Sequence, residues 1–168
     1  MNPISRSEKF RSGAWAFVAL GSNQGDSKKI FAAVIKRLGE FSDEPIAISS
    51  FQTTAPIDCP PGSPDFLNAV VGFRVRVDET PETLLEKLQG LEKEFGRQPK
   101  QILNEPRPLD LDLIAFGEQS RSQADLVLPH PRAHQRSFVL KPLSEIAPDL
   151  ILPGQKRTVR ELLEALTP

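Results

Sequence analysis

The residues best suited to chemistry are Asp110 and Asp112, separated by Leu111 in the run Leu109-Asp110-Leu111-Asp112-Leu113-Ile114. The run alternates in strand fashion, with Leu109, Leu111 and Leu113 on one face and Asp110, Asp112 and Ile114 on the other. Strand rise places alternate residues about 7 Å apart, so both carboxylates leave the same face as neighbours. Two close carboxylates repel, and a divalent cation relieves the repulsion. Magnesium takes one or two protein carboxylates and fills its other positions with water and substrate phosphates. Arg107, just upstream, offers a fork-shaped donor to a phosphate. The plainer alternative for the acidic pair is a solvated sheet face.

Other side chains suit a ligand with a flat face and a charged end. Phe66 and Asn68 share one face of a strand, at the mouth of a Thr- and Pro-rich segment. There an aromatic ring can stack on a heteroaromatic ligand while the amide pairs with its edge. The competing reading is an exposed polar position at a strand end. Arg97, Lys100 and Arg107 punctuate a loop that leads into the Asp strand. His130, Arg132, His134 and Arg136, followed by Lys141, form a second basic stretch. Two His without a third ligand nearby point to phosphate contact rather than a transition metal. Gly21 to Asp26 is a Gly-rich turn without P-loop or dinucleotide-fingerprint spacing, so it reads as a plain turn.

These side chains need a scaffold. The 168 residues suit one domain, with 1–13 as a polar tail and 14–168 folded. Trp15 to Leu20 is a continuous apolar run, the mark of a strand covered on both faces. A helix is expected from Ser27 to Leu38, with Ile30, Val34 and Leu38 inward. A second strand is expected over Pro45 to Phe51, then a long loop over Gln52 to Pro64. The third strand is expected over Phe66 to Val77. Leu67, Ala69, Val71, Phe73, Val75 and Val77 form its apolar face, and its other face turns polar through Arg74 and Arg76. Thr80 and Pro81 open a second helix lined by Leu84, Leu88, Leu91 and Phe95 and stopped at Gly96. A short helix follows over Phe138 to Glu145. A last one is capped by Thr158 and Glu161, with Val159, Leu162, Leu163 and Leu166 inward. Strand, helix, strand, strand, helix, strand is the α+β ferredoxin-like βαββαβ sandwich, here with C-terminal additions.

Composition narrows the function classes. A net charge of −1 and a pI near 6.2 leave no electrostatic footprint for nucleic acid or an anionic membrane. Ribonucleoprotein aromatic motifs are absent as well. No apolar run is long enough to span a bilayer, and no signal-peptide core is evident. The single Cys59 excludes an internal disulfide and suits a reducing compartment, so the expectation is a cytoplasmic protein.

An ordered set of motifs resembles the hydroxymethyl-dihydropterin pyrophosphokinase family of folate synthesis. It comprises Ala19-Leu20-Gly21-Ser22-Asn23, Ser49-Ser50-Phe51 with Thr54 and Pro56, and Asp65-Phe66-Leu67-Asn68-Ala69. Glu92, Gly96-Arg97 and Pro106-Arg107-Pro108-Leu109-Asp110-Leu111-Asp112 follow. Pro129-His130, Arg136-Ser137-Phe138 and Pro142-Leu143-Ser144-Glu145-Ile146-Ala147-Pro148 complete it. The resemblance implies transfer of pyrophosphate from ATP to a hydroxymethyl-dihydropterin, with AMP leaving. It implies that Asp110 and Asp112 hold two Mg2+ ions, and that Arg97 and Arg107 stabilise the transferring group. Phe66, Asn68 and Phe138, with backbone groups of Thr54, Ala55 and Ile57, match the pterin site. Glu92, Arg107, His130 and Arg136 match nucleotide-side positions. ATP and a dihydropterin are the expected partners of a monomer. The sequence departs from the family pattern at Pro99, Asn104, Glu105 and Pro131, which predicts slower turnover or weaker ATP binding. The alternative is a catalytically impaired relative that binds pterin or nucleotide.

Overall fold

In the computed structural model, which describes residues 13–56, 58–97 and 106–167, a sheet lies between two layers of helix. The elements in chain order are β1 (Trp15–Ser22), α1 (Ser27–Gly39), β2 (Ala47–Ile48), β3 (Gln52–Thr54), β4 (Phe66–Arg74) and α2 (Pro81–Glu94). There follow β5 (Asp110–Phe116), β6 (Arg121–Gln123), β7 (Leu126–Leu128), α3 (Ser137–Ile146) and α4 (Val159–Leu166). The main sheet has the order β2-β4-β1-β5, with β3 beside the start of β4. β1 is antiparallel to both neighbours. The fold is therefore α+β, built on an antiparallel sheet.

Alternation along the central strands feeds two cores. Ala16, Val18 and Leu20 of β1, Leu67 to Phe73 at odd positions of β4, and Leu111 and Leu113 of β5 pack on one side. There they meet Phe31, Val34 and Leu38 of α1 and Leu84, Leu88 and Leu91 of α2. Trp15, Phe17, Val70 and Ile114 point the other way, onto Val139, Leu140 and Leu143 of α3 and Val159 and Leu162 of α4. β1 is thus covered on both faces, as its unbroken apolar run predicts. Helix ends are fixed locally. Asp26 caps α1, Thr80 and Thr83 form a capping box before Pro81, and Thr158 and Glu161 form another at α4.

Several expectations need correction. The segment Pro45 to Phe51 yields only two strand residues, and the expected loop after it contains β3. β4 ends at Arg74, and Val77 is 91% exposed. The second face of β4 does not turn to solvent. Arg74 is only 8% exposed because its guanidinium lies 5.5 Å from the Trp15 ring and its Nε meets Glu44 at 2.7 Å. Phe31, rather than Ile30, is the fully buried residue of α1's first turns, and Leu166 is 42% exposed. The β6–β7 hairpin was not foreseen; its Arg121 is tied to Glu82 on α2 at 2.6 Å. The tail of residues 1–12 and the expected contributions of Ile57, Pro99, Lys100, Asn104 and Glu105 lie outside the described residues.

Candidate active site

The α3–α4 layer covers only part of its face of the sheet. Beyond it, the same face of three adjacent strands is open and forms the floor of a cleft of about 530 Å³. The register explains which residues meet there. Asp112 lies opposite Ala19, and Asp110 lies opposite Gly21. Gly21 lies opposite Asn68 on its other side. Asn68, Gly21 and Asp110 therefore form one row across the sheet, with about 10 Å from first to last at ordinary strand spacing. A Cβ at Gly21 would stand 3.8 Å from both Asp110 Cβ and a Phe66 ring carbon, and 3.9 Å from Asn68 Oδ1. Glycine keeps that floor low, so one ligand can reach both the amide and the carboxylates.

One end of the cleft is neutral. Phe66, Asn68, Thr54 and Ala55 line it, with Phe138 from the start of α3. Asn68 is 7% exposed and donates from Nδ2 to Thr54 Oγ1 at 2.7 Å. That bond fixes which way the amide faces. The guanidinium of Arg107 stands 5.7 Å from the Phe66 ring centre, and that of Arg136 stands 5.4 Å from Phe138.

The other end is charged. Asp110 and Asp112 both line the cleft, together with Arg107, Arg132 and Arg136. Arg97 Nη1 reaches Asp110 Oδ1 at 2.5 Å and Glu92 Oε2 at 2.6 Å. Gly96, with φ +93, makes the turn after α2 that brings Arg97 back over Glu92. Arg107 Nη1 stands 3.5 Å from Asp110 Oδ2. Glu92 also accepts the Leu111 amide at 2.8 Å, which ties α2 to β5 between the two aspartates. Burial, then the charges of Asp110 and Glu92, push the Asp112 carboxyl up to about 7. Burial also raises Glu92, against the Leu111 amide and Arg97. His130 is pushed down by burial and by Arg136 and Arg132.

The donor set suits magnesium. Two carboxylates on one strand face open space, leaving other coordination positions to water and phosphate oxygens. The raised Asp112 carboxyl reflects burial first and the neighbouring Asp110 and Glu92 charges second, which Arg136 and Arg97 only partly offset. Among the described residues, no group of three or more His, Cys, Asp or Glu is arranged around a metal position.

Of the residues singled out in the sequence, Thr54, Ala55, Phe66, Asn68, Arg107, Asp110, Asp112, Arg136 and Phe138 line the cleft. Glu92, Arg97 and His130 do not. Arg97 joins through its bond to Asp110, and Glu92 through Arg97. His130 accepts the Arg132 amide on Nδ1 at 3.2 Å, which orients its ring. The Gly21–Asp26 segment is more than a plain turn. Asn23, 4% exposed, accepts the Arg107 amide on Oδ1 at 2.9 Å and donates its own amide to the Arg107 carbonyl at 3.1 Å. It holds the end of the Arg107 loop against β1. Asn23 closes the Ala19–Asn23 motif of the family resemblance, but nothing local pointed to its bond with Arg107.

Known proteins resemble this chain along most of its length. The family described as 7,8-dihydro-6-hydroxymethylpterin-pyrophosphokinase (HPPK) matches residues 17–148. The chain belongs to the HPPK family. A 2-amino-4-hydroxy-6-hydroxymethyldihydropteridine pyrophosphokinase of Synechocystis sp. is 35% identical over 98% of this chain and 82% of the relative. The enzyme of the same name from Methylorubrum extorquens is 37% identical over 91% of this chain and 94% of its own length. Among solved structures, Plasmodium falciparum HPPK-DHPS superposes with a TM-score of 0.71 at 13% identity, over 93% of this chain. That likeness concerns the fold. The chain spans 46% of that longer HPPK-DHPS protein. Among the described residues, no helix is long and apolar enough to cross a membrane.

Proposed function

We propose that this chain transfers the pyrophosphoryl group of ATP to the hydroxymethyl oxygen of 6-hydroxymethyl-7,8-dihydropterin, releasing AMP, in folate biosynthesis. One observation carries the reading. A single cleft joins an aromatic-and-amide end to a paired-carboxylate end across the Asn68-Gly21-Asp110 row. Membership of the HPPK family supports the same substrates.

Phe66 and Phe138 sandwich the pterin ring, and Asn68, with backbone groups of Thr54, Ala55 and Ile57, pairs with its edge. Asp110 and Asp112 would hold two Mg2+ ions, which would supply neutralisation of phosphate charge there. Arg97 and Arg107 begin on Asp110 and are within reach of phosphate oxygens that arrive beside it. Glu92 holds Arg97, and His130 and Arg136 serve the nucleotide side. Such chemistry depends mainly on positioning and charge neutralisation.

The strand order, with α1 and α2 packed on one face of the sheet, supports the ferredoxin-like sandwich. Residues 14–168 act as one domain behind a tail of 1–13. The proposed state is a monomer. The lone Cys59 supports a cytoplasmic location. Incubation with ATP, Mg2+ and the dihydropterin tests the reading. AMP must appear in step with pyrophosphorylated pterin and vanish without Mg2+. Binding of either substrate without AMP would refute it.

A further inference from the structure

A one-residue irregularity at the sheet edge decides which side chains face the pterin end of the cleft. Ala47 pairs with Gly72 and Ile48 with Val71. Ser49 continues the step, its amide donating to the Val70 carbonyl at 3.0 Å. Kept in that register, Phe51 would face Asn68 and Thr53 would face Phe66. Instead Gln52 faces Asn68 and Thr54 faces Phe66. Ser50 and Phe51 together stand opposite Ala69, as in a β-bulge. Side chains alternate along a strand, so this single extra residue swaps the faces of everything after it. It puts Gln52 and Thr54 on the cleft face and turns Thr53 away.

A bulge leaves an unpaired backbone donor, and here α3 meets it. Glu145 accepts the Ser50 amide on Oε2 at 2.7 Å and the Ser50 hydroxyl on Oε1 at 2.6 Å. It also accepts Gln52 Nε2 on Oε1 at 3.2 Å. One carboxylate thus grips the extra residue and the first residue of β3. Burial pushes this carboxyl up, but the Ser50 and Gln52 bonds outweigh it and hold the group below its ordinary value. Glu145 does not line the cleft.

We infer that Glu145 is a positioning residue for the pterin site: it holds the Ser50–Phe51 bulge that aims Thr54 at Asn68. The inference rests on the proposed pyrophosphokinase reading and makes the charged end of the cleft independent of Glu145. Asn68 keeps its orientation only while Thr54 Oγ1 is presented to it.

The test compares wild type, Glu145→Gln and Glu145→Ala. Two readouts are used: steady-state kinetics, and hydrogen exchange resolved to residues 49–54. Glu145→Ala is expected to raise KM for the dihydropterin about tenfold, with kcat and KM for ATP within twofold of wild type. Its Ser50 and Thr53–Thr54 amides should lose protection. Glu145→Gln keeps one acceptor oxygen and should fall between the two. An unchanged pterin KM with unchanged exchange in Glu145→Ala would overturn the inference. So would an equal rise in both KM values, which marks general loosening. Thermal melts identify misfolding in Glu145→Ala. If that variant misfolds, Glu145→Gln decides: wild-type pterin KM and exchange overturn the inference, and a selective rise supports it. Wild-type protein that forms no AMP defeats the functional reading alone. The exchange arm then still decides whether Glu145 holds the bulge.

Discussion

The two ends of the cleft are built from different forces. The pterin end is lined by neutral groups and internally satisfied, with Asn68 on Thr54 and β3 laddered to β4, while the Glu145 carboxylate grips the bulge from outside the cleft. The charged end is a standing imbalance. Asp110, Asp112 and Glu92 crowd together; Arg97 bridges Glu92 and Asp110 and Arg107 reaches Asp110, so the Asp110 carboxylate is occupied where a cation would need it. Hydrogen bonds between neutral groups respond weakly to pH and ionic strength. Crowded carboxylates respond to both. The first end is shaped before any ligand arrives, whereas the second must exchange internal partners for external ones. Loss of a group should therefore affect affinity for one substrate at the neutral end and turnover itself at the charged end.

The charged end gives the largest effect. Asp110→Asn or Asp112→Asn keeps the volume and removes a charge. Each should lower kcat by at least about a thousandfold; in Asp112→Asn the melting temperature should stay level or rise, because the charge there is disfavoured by burial and neighbouring carboxylates, whereas Asp110→Asn also loses pairs with Arg97 and Arg107. AMP release and a thermal melt measure both. Retention of most activity in either variant would remove the carboxylates from the mechanism. At the neutral end, Asn68→Ala should lower kcat/KM for the dihydropterin about 10- to 100-fold, carried mainly by KM, with KM for ATP little changed. A variant that lost ATP affinity as well would show the two ends to be one coupled unit.

The ends also differ in how legible they were. Asp110 and Asp112 were readable because strand alternation alone sets neighbouring carboxylates on one face. Phe66 and Asn68 followed from the same rule. The supports stood in the quoted motifs, but what they hold was not readable. Asn23 and Glu145 act on residues 84 and 95 positions away, at Arg107 and Ser50, and nothing local marks such a bond. The bulge has no composition of its own, so Pro45 to Phe51 looked like one strand and β3 looked like loop. Arg74 reads in the sequence as part of a solvated face, yet its guanidinium lies over Trp15. Helix positions and caps were the easier part, because Thr80, Pro81 and Thr158 act on their own neighbours.

A third test separates the ends by pH. The folded Asp112 carboxyl titrates near 7, against an ordinary 3.8. Between those values the folded chain binds the extra proton. This group's contribution to stability therefore falls as pH rises across that window. Glu92, also raised, adds in the same direction. Melts from pH 4 to 7.5 should show a component that declines with pH, shrinks in Asp112→Asn and shrinks again when Mg2+ is added. Asn68→Ala should leave that component intact. An Asp112→Asn profile parallel to wild type would mean that the crowding at the charged end is not felt.

The smallest effect probes the neutral end through its lightest contact. Thr54→Val preserves a β-branched side chain of nearly the same shape on β3 but removes the oxygen that Asn68 Nδ2 donates to at 2.7 Å. The strand has no reason to move, since its ladder to β4 uses backbone groups. Asn68 remains, but its amide loses the partner that sets its direction. One neutral hydrogen bond of this kind is worth about 1 kcal/mol, which corresponds to about a fivefold rise in KM for the dihydropterin. Its kcat, its ATP dependence and its pH profile should match wild type, because no charge changes. An effect as large as that of Asn68→Ala would mean that Thr54 contacts the ligand directly. No effect would mean that the bulge, rather than the hydroxyl, orients the amide.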